Sequence, residues 1–547
     1  MTVAAPRRTP VAADADGGTL AGTGTLARFM LRRDRVKLLA WVGGFGLFIV
    51  YLASALPVAY PEDDLDTVVS LFGDPLGRVL TGPGYGFDAP TYERLVANGY
   101  GLYLMILSGL MSILLVVRHT RVEEQTGRAE LVRANVVGRH APLTAAMIVA
   151  VVTNAAAGLV IFLLMIGMGG YAVGGSALLA TAVAAIGLAF AGVAAITVQL
   201  SQYSRAAAGM AGAAMGVAFV LRSGGDMARV GGNILSWLSP FGWGTQTAPF
   251  VLDRWWPLLL LIAFALVTTS VGFLLSNRRD LGASLVAVRP GPASAAPGLG
   301  TPIGLALRLQ RASIISWTVS LAVAGIAFGG FADAVLGALE GLPATFSELF
   351  GEEDLVAGYM AYMAMFMAFF AAIYAVLAIH TVRSEEISGR AESVLATPIS
   401  RSEWLGANLA VIFGGVVVIL VVSGIATGAG GALALGDGSQ VWDLVVAHLN
   451  YLPSVLVVLA VAALLYGVRP WMASMAWAVV GYGFLVGTFG RLLDLPEGVH
   501  NVSPFSHPAY MPLEQFEPTP FLILLALAVI GLILALVTFR RRQFNVK

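Results

Sequence analysis

Long apolar stretches follow one another along most of the chain, separated by short polar segments. A helix needs about 20 apolar residues to cross a bilayer, because every backbone polar group must be hydrogen-bonded inside the helix. Twelve stretches meet this requirement: residues 38–57, 98–117, 141–167, 176–198, 206–221, 255–275, 313–332, 356–379, 405–427, 444–467, 471–489 and 520–539. The fifth is short and rich in glycine and alanine, so its ends are the least defined. The pattern predicts an all-α polytopic membrane protein with twelve transmembrane helices.

The composition is typical of a chain that is covered mainly by lipid. Of its 547 residues, 58% are hydrophobic and 12% are charged, whereas a soluble domain carries about 25% charged residues. The net charge is zero, which gives no indication of a nucleic-acid partner. There is no cysteine, which excludes disulfides, thiolate metal sites and a cysteine nucleophile.

The basic residues indicate how the chain is oriented in the membrane. With the N-terminus in the cytoplasm, 26 of the 32 lysines and arginines fall in segments on the cytoplasmic side. The outer segment 333–355 holds six carboxylates and no basic residue. Because cytoplasmic loops are enriched in lysine and arginine, we expect both termini to be cytoplasmic.

The second half of the chain repeats the first. EEQTGRAE at 123–130, the first octapeptide, recurs as EEISGRAE at 385–392, the second octapeptide, with six of eight positions identical. Each half therefore has six spans in the same orientation, which predicts two parallel six-helix repeats that form a pseudo-dimer. The predicted organisation is a disordered cytoplasmic tail at 1–25, a first half at 26–280, a flexible cytoplasmic linker at 281–302 and a second half at 303–547.

Each octapeptide lies between the second and third spans of its half, on the predicted cytoplasmic side. On a helix, each would contain one ion pair at (i, i+4) spacing. The pairs would be Glu124–Arg128 and Glu386–Arg390. A glycine in a helix interior costs about 1 kcal/mol relative to alanine, so Gly127 and Gly389 suggest that another backbone or side chain approaches closely. The alternative is that both octapeptides are solvated loops inherited from one duplication.

Basic residues at helical spacing precede the first span of each half. They are Arg28, Arg32 and Arg35 in the first half and Arg308 and Arg311 in the second. Apolar side chains stand beside them, which is typical of an interfacial helix on the inner leaflet. A simple stop-transfer cluster is the alternative, above all for the second copy.

Aromatic and methionine side chains crowd the second span of the second half. Adaptable, polarizable methionine together with aromatic rings suits a promiscuous apolar pocket. The candidates for a substrate cavity are Tyr103, Tyr362, Met363, Phe366 and Phe370. For most such residues, plain packing or contact with lipid is the alternative.

Two outer segments, 222–254 and 490–519, are too polar to span the membrane but are rich in tryptophan and phenylalanine. These rings suit the aromatic belt at a membrane surface. His500 and His507 in the second segment could suggest a metal site. No acidic cluster lies at ligand spacing from them, so no metal site is predicted.

The order of these features resembles the permeases of ABC-type exporters, and the fused two-half form resembles the actinobacterial polyketide-antibiotic (tetronasin-type) exporters. The resemblance covers nearly the whole chain, and the octapeptides are its specific part. In that family this loop is the coupling helix that docks on the ATPase. The resemblance therefore implies a coupling role for Glu123, Glu124, Gly127, Arg128, Glu130, Glu385, Glu386, Gly389, Arg390 and Glu392. It also implies that the basic segments are elbow helices and that the polar outer segments form short re-entrant helices.

The energy source is indicated by what the sequence lacks. It contains no G-x-x-x-x-G-K-[ST] phosphate-binding motif, so the chain is not expected to hydrolyse ATP or to have catalytic residues. The resemblance implies that ATP and Mg are bound by a separate ATPase, two copies of which serve one permease chain in a bacterial plasma membrane. The expected function is efflux of a hydrophobic drug or polyketide-like molecule by alternating access. A lipid or glycolipid is an open alternative as substrate.

The main rival is a proton-coupled secondary transporter such as a drug antiporter, because these also often have twelve spans in two halves. Coupling to protons requires ionisable groups inside the membrane. The twelve predicted spans contain no Asp, Glu, Lys or Arg, and only His448 is ionisable. A membrane-embedded enzyme would need clustered carboxylates or histidines at one membrane face, and the outer carboxylates are scattered. Both rivals are therefore less favoured than the ATP-driven exporter.

Overall fold

The computed structural model describes residues 18–62, 65–134, 137–280, 282–286, 293–332, 354–489 and 496–542. All regular secondary structure in these ranges is helical, as predicted, and twelve helices within them are long and apolar enough to cross a membrane. The chain divides into two compact units, unit 1 (Met1–Pro290) and unit 2 (Gly291–Lys547), with six such helices in each. The predicted tail at 1–25 and linker at 281–302 lie partly outside the described residues. The predicted acidic segment at 333–355 lies almost entirely outside them.

Unit 1 begins with a short amphipathic helix, and its six long helices are joined by shorter ones. The first six helices are α1 (Thr23–Arg33), α2 (Arg35–Ala59), α3 (Leu65–Gly73), α4 (Pro75–Thr81), α5 (Tyr92–Arg94) and α6 (Gly101–Val117). The others are α7 (Glu123–Gln125), α8 (Arg128–Arg133), α9 (Ala141–Gly167), α10 (Val173–Leu200), α11 (Ser204–Ala228), α12 (Ile234–Trp237), α13 (Pro240–Thr245) and α14 (Pro257–Ser276). A π-helix at Arg118–Val122 joins α6 to α7, so the second span continues to Gln125.

The described residues of unit 2 contain nine α-helices. They are α15 (Pro302–Gly330), α16 (Leu355–Ile387), α17 (Arg390–Leu395), α18 (Arg401–Leu435), α19 (Gln440–Asn450), α20 (Leu452–Val468), α21 (Ala476–Phe489), α22 (Glu497–His500) and α23 (Pro518–Arg541). The fourth span of this unit consists of α19 and α20 together. It is interrupted near Tyr451 because Pro453 has no backbone N–H to continue the hydrogen-bond ladder.

The long helices pack through small side chains, which let the helix backbones approach closely. Such close packing matters in a membrane because the hydrophobic effect does not bring helices together there. In unit 1 the central helix is α10, whose Ile186 and Val198 are fully buried. In unit 2, α15 lies against α18 along a glycine-rich face. A Cβ atom added at Gly329 would lie only 2.0 Å from the carbonyl oxygen of Thr427. The side chains between the packed helices therefore form the hydrophobic core of each unit, and the other apolar side chains face outward.

The fifth span differs from the prediction. It was expected at 206–221, but α11 runs to Ala228 and carries Arg222 and Asp226, whose side chains are fully buried. The helix can continue because these two residues form an ion pair with each other at (i, i+4) spacing. The predicted range 206–221 contains no charged residue, whereas the observed helix carries this pair beyond it. The pair is one functional candidate that the sequence reading missed.

Candidate functional site

Each octapeptide is a break between two helices rather than one continuous helix. In unit 1, α7 ends at Gln125 and α8 begins at Arg128, while in unit 2, α16 ends at Ile387 and α17 begins at Arg390. Two residues separate the helices in each unit, and the second of them is Gly127 (φ 72°) or Gly389 (φ 76°), in the left-handed region. Glycine adopts this conformation without the steric cost that other residues meet.

The structure shows a reason for these two glycines that lies in the backbone. A close approach by another backbone or side chain was predicted, and within the described chain a Cβ atom at Gly127 or Gly389 would meet no atom within 4 Å. An approach by a partner chain therefore stays a prediction. Backbone conformation, and not crowding within the chain, accounts for glycine at both positions.

The predicted (i, i+4) ion pairs are also wrong. Arg128 lies 3.8 Å from Glu123, and Arg390 pairs with Glu385 at 2.7 Å. The left-handed glycine reverses the chain direction locally, which brings each arginine to the first glutamate of its octapeptide instead of the second. Both arginines are 60% exposed, so these pairs contribute little to stability.

The second glutamate of each octapeptide is anchored to the end of the sixth long helix of its unit. Arg279, just beyond α14, donates to both carboxylate oxygens of Glu124 at 2.6 and 2.9 Å. Arg542, at the end of α23, donates to both oxygens of Glu386 at 2.6 Å. The Tyr466 hydroxyl donates to Glu386 at 2.5 Å. These partners lie far away in sequence, so no local pattern could have revealed them.

The two glutamates that follow the glycines have a different environment. Glu130 and Glu392 stand in the first turn of α8 and α17, where the peptide dipoles favour a negative charge. Both side chains are exposed. Within the described residues, neither forms an ion pair. They are the octapeptide carboxylates that are accessible to a partner.

Unit 1 has a further charge network beside its octapeptide. Arg118 donates to both carboxylate oxygens of Asp34 at 2.6 Å, and this interaction lowers the pKa of Asp34 below its usual value. His119 lies 3.3 Å from the same carboxylate. Arg33 pairs with Glu123 at 3.0 Å. The network connects the junction of α1 and α2 with the first octapeptide. The indication of this network in the sequence was Asp34, an acidic residue that stands alone in a basic segment.

Unit 2 has no such network at the corresponding place among its described residues. By the repeat, the counterpart of Asp34 is Gln310, which is buried and donates to the carbonyl oxygen of Ala378 at 3.2 Å. The octapeptides are therefore built alike, while the contacts behind them differ between the units.

The residues predicted to form elbow helices are exposed in both units. Arg28 and Arg32 lie on α1, a separate helix that ends at Arg33, and Arg35 begins α2. Arg308 and Arg311 lie instead on α15, which is one continuous helix from Pro302 to Gly330. In the described residues, the predicted elbow arginines therefore begin on a separate α-helix in unit 1, whereas in unit 2 they lie within the long helix itself.

Three of the five predicted cavity residues, Tyr362, Phe366 and Phe370, form a row of rings along α16. Phe366 and Phe370 line a groove of about 680 Å³ against Trp317 and Phe328 of α15. Tyr362 lines a separate cavity in unit 2, and Met363 is packed in the core. Tyr103 belongs to unit 1 and is half-buried. Packing accounts for Met363, as the alternative interpretation held.

The polar segments predicted to lie outside, 222–254 and the described part of 490–519, contain the short helices α12 and α13 in unit 1 and α22 in unit 2. The repeated serines Ser239 and Ser503 each accept a hydrogen bond from the backbone N–H of the phenylalanine two residues on. Trp237 stacks on Trp256 with ring centroids 5.0 Å apart. In the part of the chain that the structure describes, no group of three metal-ligating side chains is assembled around His500 and His507 or elsewhere.

The buried pair in α11 is held by contacts with α4 and α12 of unit 1. Arg222 donates to Asp226 at 3.0 Å and to the carbonyl oxygen of Arg78 at 3.1 Å. The Ser236 hydroxyl donates to the other oxygen of Asp226 at 2.6 Å. The Arg78 side chain donates to the backbone carbonyl oxygen of Asp226 at 2.8 Å. The pair therefore ties α4 and α12 to the end of α11.

Comparison with known proteins places this architecture in a family. The family model described as the C-terminal domain of the multidrug efflux system permease Rv1217c matches residues 24–275 and residues 299–540. The chain is 35% identical over 538 residues to the multidrug efflux system permease protein Rv1217c of Mycobacterium tuberculosis (strain ATCC 25618 / H37Rv), and the alignment covers 96% of each chain.

Proposed function

The chain belongs to the family of multidrug efflux permeases related to Rv1217c, and from that premise we propose that it is the membrane subunit of an ATP-driven exporter. A separate ATPase supplies the energy, with two ATPase chains for each permease chain. The protein is a multi-pass membrane protein and a permease for drug efflux. Its location in the bacterial plasma membrane, with both termini cytoplasmic, is part of the proposal.

The observation that carries this proposal is the shared construction of the two octapeptides. Each presents an exposed glutamate on a short helix, and each has its second glutamate fixed to the end of the sixth long helix. A force applied to the short helix is passed through a buried ion pair to a membrane-spanning helix. Two such elements in one chain suit a dimeric ATPase, and the absence of a phosphate-binding motif in the chain agrees with a separate energy source.

The roles of the octapeptide residues follow from their surroundings. Glu130 and Glu392 are available to meet basic residues of the ATPase. Glu124 and Glu386 hold the octapeptide on its own unit and so act as positioning residues. The family model that matches both halves supports an origin by duplication, with two parallel six-helix repeats. The substrate is a small hydrophobic molecule, for which the groove at Phe366 and Phe370 is the candidate surface.

The test is whether the exposed glutamates govern assembly. Glu130→Lys combined with Glu392→Lys replaces the two negative charges of the proposed docking sites by positive ones. The new lysines would then face basic residues of the ATPase, and like-charge contacts at an interface cost several kcal/mol. We expect the double variant to insert normally but to lose co-purification with the ATPase. Glu497→Lys, an exposed change at the opposite end of unit 2, is the matched control. Normal assembly of the double variant would refute the docking role. ATP hydrolysis by this chain alone would refute the separate ATPase.

The buried pair in α11 supports a second candidate, a proton-coupled carrier. Ionisable residues within membrane spans mark functional sites by default, and Asp226 is such a residue. Its carboxylate is, however, already bound by Arg222 and Ser236, which favours a structural role over a proton relay.

Transport assays distinguish the two candidates. Proteoliposomes that contain the chain without any ATPase should move no substrate when a pH gradient is imposed. Uptake that depends on the gradient and disappears in Asp226→Asn would favour the carrier.

A further inference from the structure

Unit 2 contains a polar cavity at the end opposite its octapeptide. Its volume is about 210 Å³, and Tyr362, near the start of α16, lies on its wall. Ile387, at the other end of this helix, is 25 positions further along the chain, which corresponds to about 37 Å at 1.5 Å per residue. The cavity is therefore separated from the second octapeptide by the length of a membrane span.

The cavity wall combines aromatic rings with uncompensated negative charge. Tyr362, Tyr451 and Phe505 contribute aromatic surface, while Glu514 and Glu517 contribute carboxylates. Neither glutamate has an ion-pair partner among the described residues, and Glu514 accepts one hydrogen bond from the backbone N–H of Tyr510 at 2.6 Å. Among the described residues, no lysine or arginine lines the cavity, and His500 and His507 complete its polar wall. A cation is attracted both by carboxylates and by the faces of aromatic rings.

The aromatic wall continues from this cavity to the apolar groove of unit 2. The rings of Tyr362 and Phe366 are stacked with centroids 6.3 Å apart, and those of Phe366 and Phe370 are 5.2 Å apart. These three residues stand four positions apart on α16, so they share one face of the helix. Phe366 and Phe370 line the groove, and Tyr362 lines the cavity. A row of rings thus joins an apolar surface to a negatively charged one.

We propose that this cavity binds an organic cation with an apolar body, such as a quaternary or protonated amine, on its way out of the membrane. The inference rests on the proposed export function and gives it a substrate class. The apolar part of such a molecule contacts the groove, and its cationic head moves along the ring faces to Glu514 and Glu517. A carboxylate-bearing molecule is repelled by the same charges.

Binding to the full chain in nanodiscs of zwitterionic lipid, without ATPase, tests the proposal. Benzyltrimethylammonium is titrated by calorimetry and compared with benzylsulfonate, which has a similar size and the opposite charge. We expect the cation alone to bind. Glu514→Gln and Glu517→Gln should each weaken its binding about fivefold to tenfold, and Tyr362→Leu should weaken it as well. A glutamine at position 514 can still accept the hydrogen bond from the backbone N–H of Tyr510, so the Glu514→Gln variant should keep the local fold.

Glu497→Gln is the matched control, because it removes a charge from the same outer segment without lining the cavity. Its affinity should equal that of the wild type. No cation binding by the wild type, equal binding of the anion, or unchanged affinity in both glutamine variants would each overturn the proposal. These results leave co-purification with the ATPase untouched, so a failure here is distinguishable from a failure of the export function.

Discussion

Arg542 donates to both carboxylate oxygens of Glu386 at 2.6 Å, although the two residues are 156 positions apart. Arg279 and Glu124 repeat this arrangement in unit 1 across 155 positions. The two pairs join the loop after the second span to the end of the sixth helix of the same unit. An octapeptide that is tied in this way moves together with its helix.

The pair of Arg542 and Glu386 should be important for the stability of unit 2. Both side chains are about nine-tenths buried, and removal of one partner from a buried pair leaves the other charge uncompensated. We expect Glu386→Gln to lower the free energy of unfolding by about 3 kcal/mol. Chemical unfolding of the purified chain measures this change.

Glu385→Gln serves as the control for that variant, since its partner Arg390 is 60% exposed. The cost should stay below about 1 kcal/mol. Equal losses for the two variants would contradict the anchoring role of Glu386.

Replacement of Gly389 tests the left-handed conformation. An alanine there meets open space but must adopt φ near 76°, which costs about 1–2 kcal/mol for a residue with a Cβ atom. Asparagine tolerates this region better, so Gly389→Asn should be less destabilising than Gly389→Ala. Gly438→Ala, also in open space and without a positive φ, should have little effect. A ranking set by side-chain size instead would indicate crowding. Thermal unfolding in detergent gives the ranking.

The buried residues Arg222 and Asp226 should depend on each other for the stability of unit 1. Asp226→Ala leaves a buried guanidinium without its partner and should destabilise unit 1 by about 3–5 kcal/mol. Because well-packed apolar residues can replace a buried ion pair, Arg222→Met combined with Asp226→Leu should recover much of that loss. A double variant as unstable as the sum of the single variants would show that the backbone contacts of Arg222, and not the pair, dominate.

The ionisation of Asp34 should make the stability of the folded chain depend on pH. Its pKa is lowered in the folded chain, mainly by the hydrogen bonds from Arg118. The unfolded state therefore takes up the proton at higher pH, and the stability that Asp34 contributes is lost as the pH falls through its folded pKa. The melting temperature of the wild type should exceed that of Asp34→Asn by a constant margin down to about pH 5, and the margin should shrink toward pH 3. A margin that grows in acid would reverse the assigned sign.

Local sequence patterns were sufficient to locate most of the predicted spans. Most of the twelve spans could be located from hydropathy, because a membrane helix satisfies its backbone internally and needs only enough apolar length. The third was predicted at 141–167 and observed as Ala141–Gly167. The octapeptides could be located from internal identity alone. Their glycines were recognised as unusual, but their left-handed conformation could not be read from the sequence.

What the sequence by itself determined is therefore the membrane class, the approximate spans and the positions of the octapeptides, since these depend on composition and spacing along the chain. Tertiary structure decided which distant partners the octapeptide glutamates meet. Glu386 could pair with Arg390 or with Arg542 as far as the sequence is concerned, and a left-handed glycine together with the end of a distant helix selects Arg542. The length of the fifth span was likewise decided in three dimensions, because Arg222 and Asp226 can be buried only when each neutralises the other.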